Sequence, residues 1–290
     1  MFKNAQLAAL NAVIQTGSFD AAASRLGLTQ SAVSQRIRAL ENMFGSPVVE
    51  RTLPVTPTKL GARLAAHADT LDRLNGELAQ ELGRDQELRI GIAVNADSVD
   101  TWFLPALSGI KNCTFHIKME DQDHSAELLR SGEVAAAVTT RAEPVHGADV
   151  LSLGSLRYFA TASPEFVHAH FAEGLTPQAL STAPALIFNS KDSLQTEWAH
   201  RVCGKRLQLN AHYLPSTQGF VTASKLGVGW GLNPEPLVRD AIKSGELVNL
   251  APDLPFDTPL FWQSSRIGKG ALTQLTKNVK AAAKRHLING

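Results

Sequence analysis

The stretch Phe19-Asp20-Ala21-Ala22-Ala23-Ser24-Arg25-Leu26, followed after Gly27-Leu28 by Thr29-Gln30-Ser31-Ala32-Val33-Ser34-Gln35-Arg36-Ile37-Arg38-Ala39-Leu40, decides how this chain begins. Its first eight residues read as a short helix, capped by Ser18, whose alanines let another helix approach closely. Gly27-Leu28 supplies a tight turn, and Thr29 is placed to cap a third helix running to about Met43. Upstream, Leu7, Leu10, Val13 and Ile14 form an apolar stripe at helical spacing that Gly17 brings to an end. A short helix, a turn containing Gly and a longer polar helix predict a helix-turn-helix.

With Val33, Ile37, Leu40 and Phe44 turned to the core, the opposite face of the third helix carries Ser31, Ser34, Gln35, Arg38 and Asn42. Hydroxyl, amide and guanidinium groups are the ones that bond base edges in a major groove, and Thr29 and Gln30 join them at the end usually inserted first. Arg36, to the side, and Arg51, further on, are expected at phosphates. A polar helix face taken alone is simply a solvated one. Here residues 1–60 hold Lys3, Arg25, Arg36, Arg38, Arg51 and Lys59 against Asp20, Glu41 and Glu50, a net charge of +3, while the whole chain carries only +1. Charge concentrated at one end points to double-stranded DNA as the partner of that end.

Beyond Gly45, Val48-Val49 favours a strand and Leu53-Pro54-Val55-Thr56-Pro57 cannot continue a helix, so a small two-stranded wing is expected. Thr58 then caps a long helix with two interleaved seven-residue rows, Leu60, His67, Leu74 and Leu64, Leu71, Leu78. Such a seam predicts pairing with a second copy of the chain. From Glu87, short apolar runs at Leu88–Val94, Phe115–Met119, Val134–Val138, Arg157–Thr161, Ala185–Phe188, Leu247–Leu250 and Leu260–Gln263 alternate with helical segments, the rhythm of a mostly parallel sheet. Roughly 200 residues exceed one compact sheet and suggest two lobes with a cleft between them. The expected division is 1–58 for the winged helix-turn-helix, 59–86 for a linker helix and 87–290 for an α/β effector domain. In that domain the first lobe is expected over about 87–160 and 261–290, the second over about 161–260.

The residues Phe19 to Leu26, Thr29 to Ile37 and Leu40-Glu41 resemble the winged helix-turn-helix of LysR-type transcriptional regulators, and the similarity extends over the whole chain. It implies a multidomain α/β protein with a linker helix and a two-lobed effector domain like the periplasmic binding proteins. It also implies a homodimer or homotetramer, with RNA polymerase a further candidate partner. The wing departs from the family pattern, because Arg51 to Thr58 lacks the usual string of basic residues. Glu41-Asn42-Met43-Phe44-Gly45, and Val94-Asn95-Ala96-Asp97-Ser98 with Thr101-Trp102 and Leu104-Pro105-Ala106-Leu107, resemble the ArgP/LysG branch. That likeness implies a lysine or arginine effector and an amino-acid exporter gene as target.

Val94 ends the first strand of the effector region, so Asn95, Asp97 and Ser98 open the next helical segment, where exposed N–H groups and the Ser98 hydroxyl suit a carboxylate. Thr217 occupies a similar place in the second lobe. Ordinary helix capping accounts for Ser98 equally well and for Thr217 better. The cationic effector implied by the resemblance also needs acids: Asp97 for an α-amino group, and Glu120 and Asp121 at the end of the strand Phe115–Met119. Paired acids after a strand otherwise serve only to solvate a loop.

Several classes are set aside. No stretch approaches the roughly 20 apolar residues of a membrane span and the N-terminus lacks a secretory signal, so a cytoplasmic protein is expected. Cys113 and Cys203, read as buried thiols, form no disulfide framework, and His168 and His170 have no third metal ligand. Gly227-Val228-Gly229-Trp230-Gly231 leads from a helix into a strand, the reverse of a dinucleotide fingerprint, and Ser152 and Ser155 lie in no nucleophile elbow. No catalytic constellation, metal or cofactor is expected. Alternatives to the effector-controlled regulator are a nucleoid-associated or replication-initiation-inhibiting DNA-binding protein, a regulator with another effector, and an amino-acid enzyme bearing a DNA-binding head.

Overall fold

The computed structural model describes residues 3–84, 86–120 and 122–288. The chain begins with helices α1 (Asn4–Thr16), α2 (Phe19–Leu26) and α3 (Gln30–Phe44), strands β1 (Val49–Glu50) and β2 (Thr56–Pro57), and the long helix α4 (Lys59–Glu81). Next come β3 (Leu88–Val94), the one-turn α5 (Ala96–Ser98) with irregular helical turns to Leu107, β4 (Cys113–Met119), α6 (Gln122–Ser131), β5 (Ala136–Thr139) and β6 (Ala148–Ala162). The remainder is α7 (Pro164–His170), α8 (Pro177–Thr182), β7 (Ala185–Ile187), α9 (Leu194–Cys203), β8 (Ala211–Tyr213), α10 (Thr217–Lys225), β9 (Gly231–Pro234), α11 (Glu235–Ser244), β10 (Val248–Asn249), β11 (Phe256–Ser265) and α12 (Lys269–His286).

The N-terminal elements follow from their caps. Gly17, Gly27 and Gly45 end α1, α2 and α3 in the left-handed region. Ser18 and Thr29 accept hydrogen bonds from the Ala21 and Ala32 N–H groups. Leu7, Leu10, Val13, Ala22, Val33, Ile37 and Leu40 are buried in one cluster, whereas Phe44, assigned to the core from its spacing, is 38% exposed at the helix end. β1 and β2 pair antiparallel as the wing, Glu50 opposite Thr56. Thr58 caps α4 through the Gly61 N–H, and α4 then passes so close to the wing that a Cβ on Gly61 would lie 1.8 Å from the Val48 carbonyl oxygen.

The leucine seam of α4 divides in two. Leu64 is buried in the helix-turn-helix core and Leu60 and Leu71 pack against it, so half of the seam expected to meet a second copy is covered by the chain itself. Asn11 Nδ2 donates to Asp69 Oδ1 at 2.6 Å and ties α1 to α4. Only further along do the leucines emerge, with Leu74 39%, Leu78 56% and Leu82 70% exposed.

Two compact units result, 1–94 with 109–151 and 262–277, and 95–108 with 152–261 and 278–290. This differs from the expected lobes, because 95–108 and 278–290 both group with 152–261. Hydrogen bonds tie the segments of the second unit to one another: Asn278 Nδ2 donates to the Ala106 and Ser108 carbonyls, Ser155 bridges to Ile288, and Thr217 Oγ1 donates to the Asp97 carboxylate. In the first unit β3 runs parallel to both β4 and β5, and the Ser265 N–H of β11 donates to the Ala135 carbonyl. In the second unit β6 pairs antiparallel with β9 and β10, and β7 pairs parallel with β8. The mostly parallel sheet foreseen from the strand rhythm therefore holds for the first unit and not for β6.

Candidate DNA-reading face and effector site

Turning the apolar side of α3 inward leaves Gln30, Ser31, Gln35, Arg38 and Asn42 exposed, with Ser34 and Arg36 half-buried at the margins. Exposed Thr29 spends its hydroxyl on the Ala32 cap and on Ser31, 3.0 Å away, so it orders the end of the helix. Arg36 reaches the Ala5 carbonyl only at 3.5 Å. Arg51, exposed on the wing, lies 3.9 Å from Glu41 and 5.8 Å from the centre of the Phe19 ring, which aims its guanidinium beside α2 and α3. Among the groups on this surface, the amide of Gln35 and the guanidinium of Arg38 have the donor patterns that read bases.

The effector candidates fall in different places. Asn95, Asp97, Ser98 and Thr217 belong to the second unit, Glu120 follows β4 in the first unit and is exposed, and Asp121 lies outside the described residues. Within the second unit Asp97 is the hub: Thr217 Oγ1 donates to its Oδ1 at 2.6 Å and Tyr158 Oη donates to its Oδ2 at 2.7 Å. The residue keeps some accessible surface while its carboxyl lies deep in the unit. Burial pushes the Asp97 pKa up; the bonds from Thr217 and Tyr158 pull it down, and the negative charges of Asp192 and Asp100 raise it again. The same burial, with Asp97 beside it, holds the Tyr158 phenol protonated well above its ordinary range.

Such a carboxylate, with further acids in reach, suits a cation. Ser98 is fully buried and its hydroxyl makes no hydrogen bond, so it presents no surface donor as expected; the buried Asn95 Oδ1, an acceptor, also lacks a partner. Thr217 does not cap α10, a task performed by Ser216 through the Gly219 N–H; its hydroxyl goes to Asp97 instead. Sequence reasoning missed Tyr158 and Asp192. Tyr158 left one trace, a phenol in the mostly apolar second half of β6.

The remaining landmarks are structural. Gly227 adopts φ +71°, and a Cβ on Gly229 would lie 2.9 Å from the Pro184 carbonyl oxygen. His170 stacks on Phe166, and Cys113 and Cys203 are half-buried where burial had been expected. Among the described residues no helix is long and apolar enough to cross a membrane.

Comparison with known proteins places these features in context. Residues 5–62 match the family model of the bacterial regulatory helix-turn-helix protein, lysR family, and residues 82–284 match that of the LysR substrate binding domain. The chain is 41% identical over 281 residues to the HTH-type transcriptional regulator LysG of Mycobacterium tuberculosis H37Rv, covering 96% of this chain and 92% of that protein. The crystal structure of ArgP from Mycobacterium tuberculosis superposes with a TM-score of 0.83 at 40% identity, covering 98% of both chains. Full-length LysG from Corynebacterium glutamicum with bound effector Arg gives a TM-score of 0.69 at 37% identity, covering 98% of this chain and 99% of that one.

Proposed function

Because the chain belongs to the LysR family of transcriptional regulators, which are DNA-binding proteins and not enzymes, we propose that it is a cytoplasmic sensor of a basic amino acid. In this reading residues 1–58 grip DNA, 59–86 join two copies, and 87–290 bind lysine or arginine and so control a gene for amino-acid export. The observation that carries it is the Asp97 carboxylate, held by Thr217 and Tyr158 with Asp192 and Asp100 adding negative potential. A carboxylate whose own burial opposes ionisation gains most from a cationic partner. The related LysG with bound Arg supports the same chemistry.

In this scheme Asp97 takes the effector's α-ammonium, and the backbone around Asn95 to Ser98 takes its carboxylate. Glu120 and Asp121 are retained as the acids that add negative charge in the first unit. At the DNA end Gln30, Ser31, Ser34, Gln35 and Arg38 face bases, Arg36 and Arg51 face phosphate, and Thr29 fixes the helix entry. Pairing through the exposed Leu74 and Leu78 sets the distance between two reading helices, and effector binding alters that spacing.

Calorimetry of the full chain with L-arginine, L-lysine and neutral L-norleucine is the test. Binding of a basic amino acid at least tenfold tighter than norleucine, lost in Asp97→Asn, is expected. Equal affinity for all three, or an unaffected variant, overturns the assignment. Footprints that spread over AT-rich DNA irrespective of promoter and effector would instead indicate an architectural protein.

A further inference from the structure

The linker helix α4 roofs a cavity of about 300 Å³ that lies wholly within the first unit. Arg63, His67 and Arg73 of α4 line it, together with Arg130 of α6 and His146 from the turn before β6, and among the described residues no carboxylate does. Four nearby acids have hydrogen-bond or ion-pair partners outside the cavity. Asp69 accepts from Asn11, Glu77 from the Ala271 N–H, Glu133 pairs with Lys118, and Asp149 pairs with Arg266 and Lys269. Arg73 is only 5% exposed; it donates to the Ile267 carbonyl at 3.1 Å, and its Nε has no hydrogen-bond partner. Burial lowers its pKa, with the charges of Glu77 and Asp69 opposing that loss.

Three guanidinium groups from two elements, Arg73 buried and Arg63 and Arg130 exposed, line a cavity with no carboxylate among its described lining residues. An oxyanion offers several acceptors to such planar, forked donors, a match that favours phosphate. The volume stands at the lower limit of ligand pockets and excludes a DNA strand. A basic amino acid is unsuited to this wall, so the cavity is not a second copy of the Asp97 site. We propose that it is a separate anion site that takes a small pyrophosphate-type ligand, and that filling it fastens α4 to α6 within the first unit.

The experiment uses the full chain without DNA and three probes: sodium pyrophosphate, ADP and citrate. Pyrophosphate is expected to bind with one site per chain and to lose at least tenfold in affinity in the Arg63→Gln/Arg130→Gln variant. Arginine affinity in that variant stays unchanged. ADP binding tighter than pyrophosphate identifies a nucleotide as the source, and weaker binding identifies free phosphate. Amide exchange along residues 63–73 is expected to slow when pyrophosphate is bound. Failure of both phosphate probes to bind, equal affinity in the double variant, or citrate binding as tightly as pyrophosphate overturns the site; unchanged exchange overturns the fastening.

Discussion

Thr217 Oγ1 donates to Asp97 Oδ1 across 2.6 Å, joining two side chains 120 positions apart within one compact unit. The carboxyl they enclose has its pKa raised from 3.8, chiefly by burial. The free protein therefore retains a proton on Asp97 at pH values where an exposed aspartate has lost it. An ammonium ligand favours the ionised form and expels that proton. Affinity for arginine is expected to rise with pH through the window between 3.8 and the raised value, with proton release measurable by calorimetry in buffers of different ionisation enthalpy. Asp97→Asn should abolish the release. The unliganded fold responds in the opposite sense: the contribution from Asp97 is complete below 3.8 and is lost as pH climbs through its folded value, so the stability gap between wild type and Asp97→Asn narrows or inverts with rising pH.

At the DNA end the two arginines should separate. Arg38→Ala is expected to cost about 1–3 kcal/mol at the preferred operator and much less on random sequence. Arg51→Ala should weaken every duplex alike and flatten the salt dependence. Competition binding at several salt concentrations distinguishes them, and identical behaviour would refute the division of roles. Because Arg51 lies near Glu41 and Phe19, its loss is also expected to lower wing stability slightly, by under about 1 kcal/mol.

Gly61→Ala poses a question of sign. Helix propensity alone would stabilise α4 by about 1 kcal/mol. The added methyl, however, would lie 1.8 Å from the Val48 carbonyl oxygen, and backbone is what it meets. Overpacking should prevail, with a net loss of about 1–3 kcal/mol in thermal unfolding. A higher melting temperature would show that α4 and the wing separate readily.

Leu74→Glu with Leu78→Glu is expected to leave the N-terminal core intact, since neither side chain belongs to it. Sedimentation should nevertheless show smaller assemblies, and operator affinity should fall with the lost second half-site. Leu64→Glu, by contrast, would unfold the N-terminal domain, because Leu64 is only 8% exposed within that core. Retention of the assembly state in the double variant would locate the subunit contact elsewhere.

The N-terminal domain was legible because its signals are local. Ser18, Gly27, Thr29 and Gly45 each cap or turn within four residues of the bond they make, and the three helices follow. The features that escaped depend on distant partners. β6 extends to fifteen residues because Gly154, at φ +104°, lets its early half run tight against Ile288, a neighbour more than 130 positions away. β9 pairs with β6 in register Phe159 opposite Asn233, an antiparallel match that no rhythm of short apolar runs reveals. At the effector site Asp97 and Thr217 were recognised singly, but Tyr158 was read only as strand, because hydrogen bonding across a fold leaves no periodicity. Glu120 was chosen for its place at a strand end, a topological argument that fixes neither its exposure nor its partners.

The glycines of α4 also act on orientation. Gly61 seats the helix on the Val48 backbone and Gly76 seats it under the Leu88 side chain, fifteen residues along the same rod. The two contacts differ in kind, since Gly61 meets backbone and Gly76 the tip of a side chain. The wing end of the rod is therefore the more firmly seated, and the bearing of α3, with Gln35 and Arg38, relative to the rod rests on the missing side chain of one glycine.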